Sequence, residues 1–144
     1  MGSISLFFII SLSKLLHYLL KLAGHDGNTI PGLVALRLYP GILSELSEGM
    51  HCICVTGTNG KTTTVHILSH ILRHHFGNGL MENTPGVNLI QAITFEFIRN
   101  TDSLGRMPHK YAIVECDEAH MPMVCKAIKP EIIVVTNICE DQVY

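Results

Sequence analysis

Charge is scarce in this chain. Asp, Glu, Lys and Arg make up 15% of its 144 residues, and the formal net charge is −2. No basic excess favours a nucleic-acid partner. An anionic ligand must therefore be met by local groups rather than by a broad positive field. The five cysteines include no C-x-x-C pair, which argues against a zinc knuckle. Their scatter, at Cys52, Cys54, Cys116, Cys125 and Cys139, fits reduced thiols in a cytoplasmic protein. Cys52, Cys54, Cys116 and Cys139 lie in or beside apolar runs and read as buried packing. The start, Met1-Gly2-Ser3-Ile4-Ser5, lacks the basic side chain of a signal peptide. The apolar stretch that follows is interrupted by Lys14, His17 and Lys21 before it reaches the roughly 20 residues that a membrane span requires. Internal repeats and low-complexity tracts are absent.

The apolar content, 47%, is sufficient for the core of one globular domain. Residues 3–22 read as an amphipathic helix, with Lys14, His17 and Lys21 on one face. Its apolar face is expected to pack on the protein or a partner, or to rest on the inner surface of a membrane, with a true membrane anchor as the third reading. Residues 24–28 read as a loop. Pro31 opens a second helix through Leu38, and residues 41–48 suggest a third. Cys52–Val55, Tyr111–Val114 and Ile132–Thr136 read as strands, too evenly apolar for a half-exposed sheet. Helices are expected after the first strand, over Gly86–Ile98 and over 119–128. Strands alternating with helices predict an α/β fold, a parallel sheet flanked by helices and preceded by N-terminal helices. Ligands in such sheets bind beyond the carboxyl ends of the strands. The polar segments there are Thr56–Thr63, Glu115–Glu118 and Thr136–Asp141. In the helix after the first strand, Val65, Leu68, Leu72 and Phe76 form the apolar side. His66, His70 and His74 lie opposite, as a solvated face rather than a metal site.

The segment Thr56-Gly57-Thr58-Asn59-Gly60-Lys61-Thr62-Thr63 stands between a strand and a helix. A Gly-rich turn there aims backbone N–H groups at one point, and the helix start adds its unpaired donors and positive dipole end. Lys61 supplies a cation for outer phosphates and Thr62 a hydroxyl able to ligate Mg²⁺. Val55 occupies the place of the first Gly in the usual G-x-x-x-x-G-K-[ST] pattern, so the strict motif fails. Glu115 ends the second clear strand, where a carboxylate faces the loop. Mg²⁺ prefers one or two carboxylates with phosphate and water. Asp117 reads equally as a functional group or a helix cap, and Glu118 as a cap.

This form of the loop resembles that of the Mur ligase superfamily, which includes peptidoglycan amino-acid ligases and folylpolyglutamate synthases. Further segments resemble one branch, the ligase-like subunits of lipid II isoglutaminyl synthases. They are Leu22-Ala23-Gly24, Ile30–Ala35, Asn83-Thr84-Pro85-Gly86-Val87-Asn88, Glu115-Cys116-Asp117-Glu118-Ala119 and Thr136-Asn137 followed by Asp141-Gln142. Gln142 stands where most of the superfamily has a His that helps to hold a second metal, which puts that metal in doubt.

The resemblance implies ATP and Mg²⁺ as cofactors. It implies nucleotide contacts from Thr56 through Thr63 and from Asn137, metal contacts from Thr62 and Glu115, and substrate contacts or a turn at Asn83 and Asn88. The implied reaction activates the α-carboxylate of D-glutamate in lipid II for amidation to D-isoglutamine, with ammonia from a glutaminase partner of the GatD type. It also implies a zinc-binding four-Cys ribbon and a C-terminal domain further along than Tyr144, so the 144-residue chain alone is expected to be inactive. The chain divides into an N-terminal helical segment, 1–48, and an incomplete central ATP-binding domain, 49–144. The alternatives are a fragment of an amino-acid-adding ligase or folylpolyglutamate synthase, or a non-catalytic nucleotide-binding module.

Overall fold

The computed structural model describes residues 3–25 and 27–139. Three helices come first: α1 (Ser3–Leu22), α2 (Thr29–Leu38) and α3 (Ile42–Leu46). There follow β1 (His51–Thr56), α4 (Lys61–Phe76), β2 (Leu80–Glu82), α5 (Ile90–Asn100), β3 (Tyr111–Glu115), α6 (Met121–Ile128) and β4 (Ile132–Val135). The four strands form one parallel sheet in the order β2-β3-β1-β4. This is the α/β architecture that the strand and helix alternation predicts. Its consequence for function is directional, because all four strands deliver their carboxyl ends to the same edge.

Two apolar layers cover the sheet. On one face Cys52, Cys54, Ala112 and Val114 pack with Phe95, Phe97, Ile98, Val124 and Ile128 of α5 and α6. Leu6, Ile9 and Ile10 of α1, Ala35 of α2 and Ile42, Leu43 and Leu46 of α3 join the same cluster. The segments 1–48 and 49–139 thus share one core among the described residues. On the other face α4 lays Val65, Leu68 and Leu72 over Val55, Ile113 and Leu80. The exposed side of α4 carries His66, His70 and His74. β4 is one of the two edge strands, opposite β2, with Ile132, Ile133 and Val135 each about half exposed.

Several boundaries differ from the sequence expectation. The helix expected from Gly86 begins at Ile90, because Gly86 takes a left-handed φ of 78° and Leu89 is extended (φ −83°, ψ 144°). Strand β2, three residues long, carries too short a pattern to be read from sequence. Cys139, expected to be buried, is exposed, because the chain leaves the sheet at Val135. In α1 the expected polar face turns inward. The Lys14 ammonium donates to the Thr101 carbonyl, and the His17 ring lies 4.7 Å from that of Phe95.

The candidate functional site: a phosphate loop facing a buried carboxylate

Strand β1 is one of the two inner strands and the loop follows directly from it. Gly57 has φ +127°, a conformation open to glycine, and a Cβ there would stand 2.2 Å from the Thr136 hydroxyl. Gly60 is left-handed (φ +81°) and starts α4 as its N-cap. The N–H groups of the first turn of α4 therefore open toward the same space as the loop.

The segment after β4 braces this loop. The Thr136 hydroxyl donates to the Asn59 carbonyl at 2.6 Å, and the Asn137 amide donates to the same carbonyl at 3.1 Å. The Asn59 N–H donates to Asn137 Oδ1 at 3.0 Å, and the Thr58 N–H to the Asn137 carbonyl at 3.0 Å. Asn137, expected to contact nucleotide, thus uses its amide to hold the loop backbone. Thr136, which the sequence places only within the polar segment after its strand, is the second brace; Gly57, with room for nothing but hydrogen at its α-carbon, is the sequence signal of that close approach.

The Thr62 hydroxyl donates to both oxygens of Glu115, at 2.9 and 3.1 Å. Glu115 is buried. Two oxygens on adjacent positions of an octahedral Mg²⁺ lie about 3.0 Å apart when each bond is about 2.1 Å. The Thr62–Glu115 pair already has that separation, so the residues present fit the ion. Lys61 Nζ donates to the carbonyls of Gly57 and Thr58 within its own loop. It also lies 3.6 Å from the Glu118 carboxylate. Glu118, expected to cap a helix, instead faces the loop lysine. Asp117 makes a local turn, its Oδ1 accepting from the Ala119 N–H at 3.0 Å.

Asn83 explains why Glu115 is so firmly placed. β2 pairs with β3 only as far as Glu82 opposite Ile113. Beyond that point the Asn83 side chain substitutes for the ladder. Its Oδ1 accepts from the Glu115 N–H at 2.8 Å and its Nδ2 donates to the Glu115 carbonyl at 3.0 Å. The same amide also donates to the Val87 carbonyl and holds the 83–88 turn closed. The Asn88 carbonyl accepts from the Asp117 N–H at 3.0 Å. Both asparagines therefore tie the turn to the end of β3. A cavity of about 300 Å³ lies beside them, lined by Thr62, His66, Arg73, Glu82, Thr84 and Glu115 among others. Asp141 and Gln142 lie outside the described residues.

Fold and site together define a class: a parallel α/β domain with a Gly-rich strand-to-helix loop at the end of one inner strand and a buried carboxylate at the end of the neighbouring one. Within that class the chain belongs to the Mur ligase family, whose middle domain matches residues 55–143. The chain is similar to the MurT subunit of lipid II isoglutaminyl synthase (glutamine-hydrolyzing) from Streptococcus pneumoniae, 36% identical over 126 residues, covering 88% of this chain and 27% of that protein. The corresponding Staphylococcus aureus subunit is 34% identical over 134 residues, 92% of this chain and 30% of that protein. A UDP-N-acetylmuramate–L-alanine ligase from Gloeobacter violaceus is 33% identical over 107 residues, 74% of this chain and 21% of that protein. The chain thus spans less than a third of the length of these relatives. Among solved structures, MurF from Acinetobacter baumannii superposes with a TM-score of 0.56 at 21% identity, over 73% of this chain and 22% of that one. That likeness carries the fold.

Proposed function

We propose that this chain is the ATP-binding part of a ligase-like amidotransferase subunit that activates the D-glutamate α-carboxylate of lipid II. A carboxylate resists attack by ammonia because its leaving group would be oxide. Transfer of the γ-phosphoryl group from ATP to a carboxylate oxygen gives an acyl phosphate and ADP. Ammonia then attacks the carbonyl carbon, the C–O bond to phosphate breaks, and loss of a proton leaves the amide, D-isoglutamine. The ammonia would come from a glutaminase partner of the GatD type.

The chain's own residues would act on the nucleotide. The loop N–H groups from Gly57 to Thr62 and the start of α4 bind phosphate oxygens. Lys61 would leave the Gly57 and Thr58 carbonyls and neutralise charge on the phosphoryl group in flight. Thr62 and Glu115 would hold Mg²⁺, which when bound screens the phosphate charge. Glu118, 3.6 Å from Lys61 Nζ, would hold the lysine near the loop until nucleotide arrives. The observation that carries this reading is the Thr62–Glu115 contact, which puts a metal-ready oxygen pair at the mouth of the loop. Similarity to the MurT subunits supports the choice of lipid II over a free amino acid as the thing acted on.

The test is a titration of the protein with a fluorescent ATP analogue in Mg²⁺. Lys61→Ala removes hydrogen bonds to phosphate worth about 1.5–3 kcal/mol each. Two such bonds correspond to at least ~100-fold in Kd. Unchanged far-UV circular dichroism with lost binding is the expected result. Equal affinity in the two proteins would refute the loop's role.

A further inference from the structure

We propose that the outward face of α1 docks on an anionic phospholipid surface. This goes beyond the nucleotide reading and does not depend on it. The observation is an inversion of the usual helix pattern. Soluble helices turn apolar residues in and polar ones out. In α1 the polar groups Ser13, Lys14 and His17 face the protein, with Ser13 fully buried and Lys14 tied to the Thr101 carbonyl. The outward side shows Phe8, Leu12, Leu15, Leu19 and Leu22, 46–68% exposed, with Tyr18 beside them at 59%. Their spacing of four, three, four and three residues makes one continuous stripe. A contiguous apolar patch of this kind on a protein surface marks a docking site.

Three features choose the occupant. First, the same spacing would suit a helix-to-helix seam, but such seams are specified by charged residues on their flanks. The flanking positions here are Ile9, Ser11, Leu16, Tyr18 and Ala23, none of them charged. Second, residues 3–25 contain Lys14 and Lys21 and no Asp or Glu, in a chain whose formal net charge is −2. Lys21 and His25 are exposed at the end of the stripe. Lys14 faces inward, so Lys21 supplies the exposed charge, and an apolar stripe with an exposed lysine and no carboxylate beside it complements an anionic lipid surface. Asp102, on the turn beneath α1, is occupied by the N–H groups of Leu104 and Arg106 at 2.8 Å each. Third, the inner side of α1 is packed: Leu6, Ile9 and Ile10 are in the core, and a Cβ on Gly105 would stand 2.7 Å from Leu6. A helix held along one side by its own protein lies in the plane of a membrane rather than across it. Its 20 residues would then lay about 30 Å of apolar stripe along the lipid.

The experiment uses the whole chain with sedimentable vesicles and no nucleotide. The protein has no tryptophan, so Phe8→Trp places a single reporter on the stripe. Vesicles of phosphatidylglycerol and phosphatidylethanolamine should pellet the protein and shift the reporter's emission to the blue. Partition onto neutral phosphatidylcholine should be weaker by about fivefold, the share of one exposed lysine. Leu15→Glu/Leu19→Glu should reduce pelleting to background. Leu12→Gln/Leu15→Gln provides a milder pair that adds no charge, and it should weaken pelleting at matched circular dichroism. Absence of pelleting with anionic vesicles would overturn the proposal. So would pelleting unaffected by either pair, or equal partition onto both lipids. A dimer in light scattering that the substitutions dissolve, without vesicle binding, would assign the stripe to a second copy of the chain and also overturn it.

Discussion

A single amide accounts for much of the placement of Glu115. Glu115 sits two residues past the end of the β2–β3 ladder, and Asn83 closes the gap by accepting its N–H and donating to its carbonyl. Removing that side chain leaves a buried N–H without a partner, at a cost of about 1–3 kcal/mol. Asn83→Ala should therefore lower the melting temperature and also weaken ATP-analogue binding in Mg²⁺. Glu115→Gln should keep the fold and weaken binding in Mg²⁺, with little change in EDTA. Equal losses in Mg²⁺ and EDTA for Glu115→Gln would make Glu115 structural rather than a metal partner. At this scale the sequence was informative where chemistry is local. Gly57, Gly60, Lys61 and Thr62 fall within one run of six residues and declare the loop by themselves. The work of Asn83, Thr136 and Glu118 was not legible, because each acts on a residue far away in sequence. Asn83 and Glu115 are 32 positions apart, and only the sheet brings them together.

The elements around the site are joined by two tight contacts that no periodicity announces. α2 crosses α5 at Gly32, where a Cβ would stand 1.7 Å from the Gln91 carbonyl oxygen. Backbone cannot give way as a side chain does, so Gly32→Ala should destabilise by at least the ~1–3 kcal/mol typical of overpacking. Thermal unfolding measures it, and an unchanged midpoint would show that the helices separate freely. The second contact is Glu96, fully buried on α5. It accepts from Arg99 at 2.7 Å, from Asn28 before α2 at 3.1 Å and from Thr84 of the 83–88 turn at 3.1 Å. One carboxylate thus ties the N-terminal helices to the turn that positions Glu115. Burial pushes its pKa above the ordinary carboxylate value, and the Arg99 guanidinium offsets part of that rise. The folded state then holds the Glu96 proton to a higher pH than the unfolded chain does. Its charge costs stability at neutral pH, and that cost fades as pH falls through the folded value toward the ordinary one. Glu96→Gln does not titrate. The wild type should therefore gain on this variant, in melting temperature, between neutral pH and the ordinary carboxylate range. A constant difference across that range would mean that Glu96 titrates normally. Sequence patterns placed α5 but began it four residues early, at Gly86. The reason is that Pro85-Gly86 makes a turn whose closure depends on Asn83 rather than on helix propensity.

For the whole molecule the decisive fact is that every functional group lies on one edge of the sheet. The loop, its lysine, Thr62 and Glu115 all stand at the strand ends, on one side of the proposed phosphate position. Strand alternation made this edge predictable from sequence, because parallel strands must end together. What faces the edge was not predictable, and these 144 residues correspond to 27–30% of the MurT relatives. Phosphoryl transfer needs its reacting atoms held from all sides, and a misplacement of about 1 Å can cost ~100-fold. The 144-residue chain should accordingly bind nucleotide yet show no amidation and little ATP hydrolysis, even with a glutaminase partner, glutamine and lipid II supplied. A protein of the relatives' full length carrying these same residues should convert the stem peptide to the amide, a change of one mass unit less per site, since –OH becomes –NH₂ (about 1 Da). Mass spectrometry of the stem peptide reads both assays. Amidation by the 144 residues alone would show that the sheet edge suffices to position carboxylate and phosphate. Nucleotide binding without amidation by the longer protein would reject the lipid II reading while leaving the phosphate site intact. Loss of both would reject the site itself.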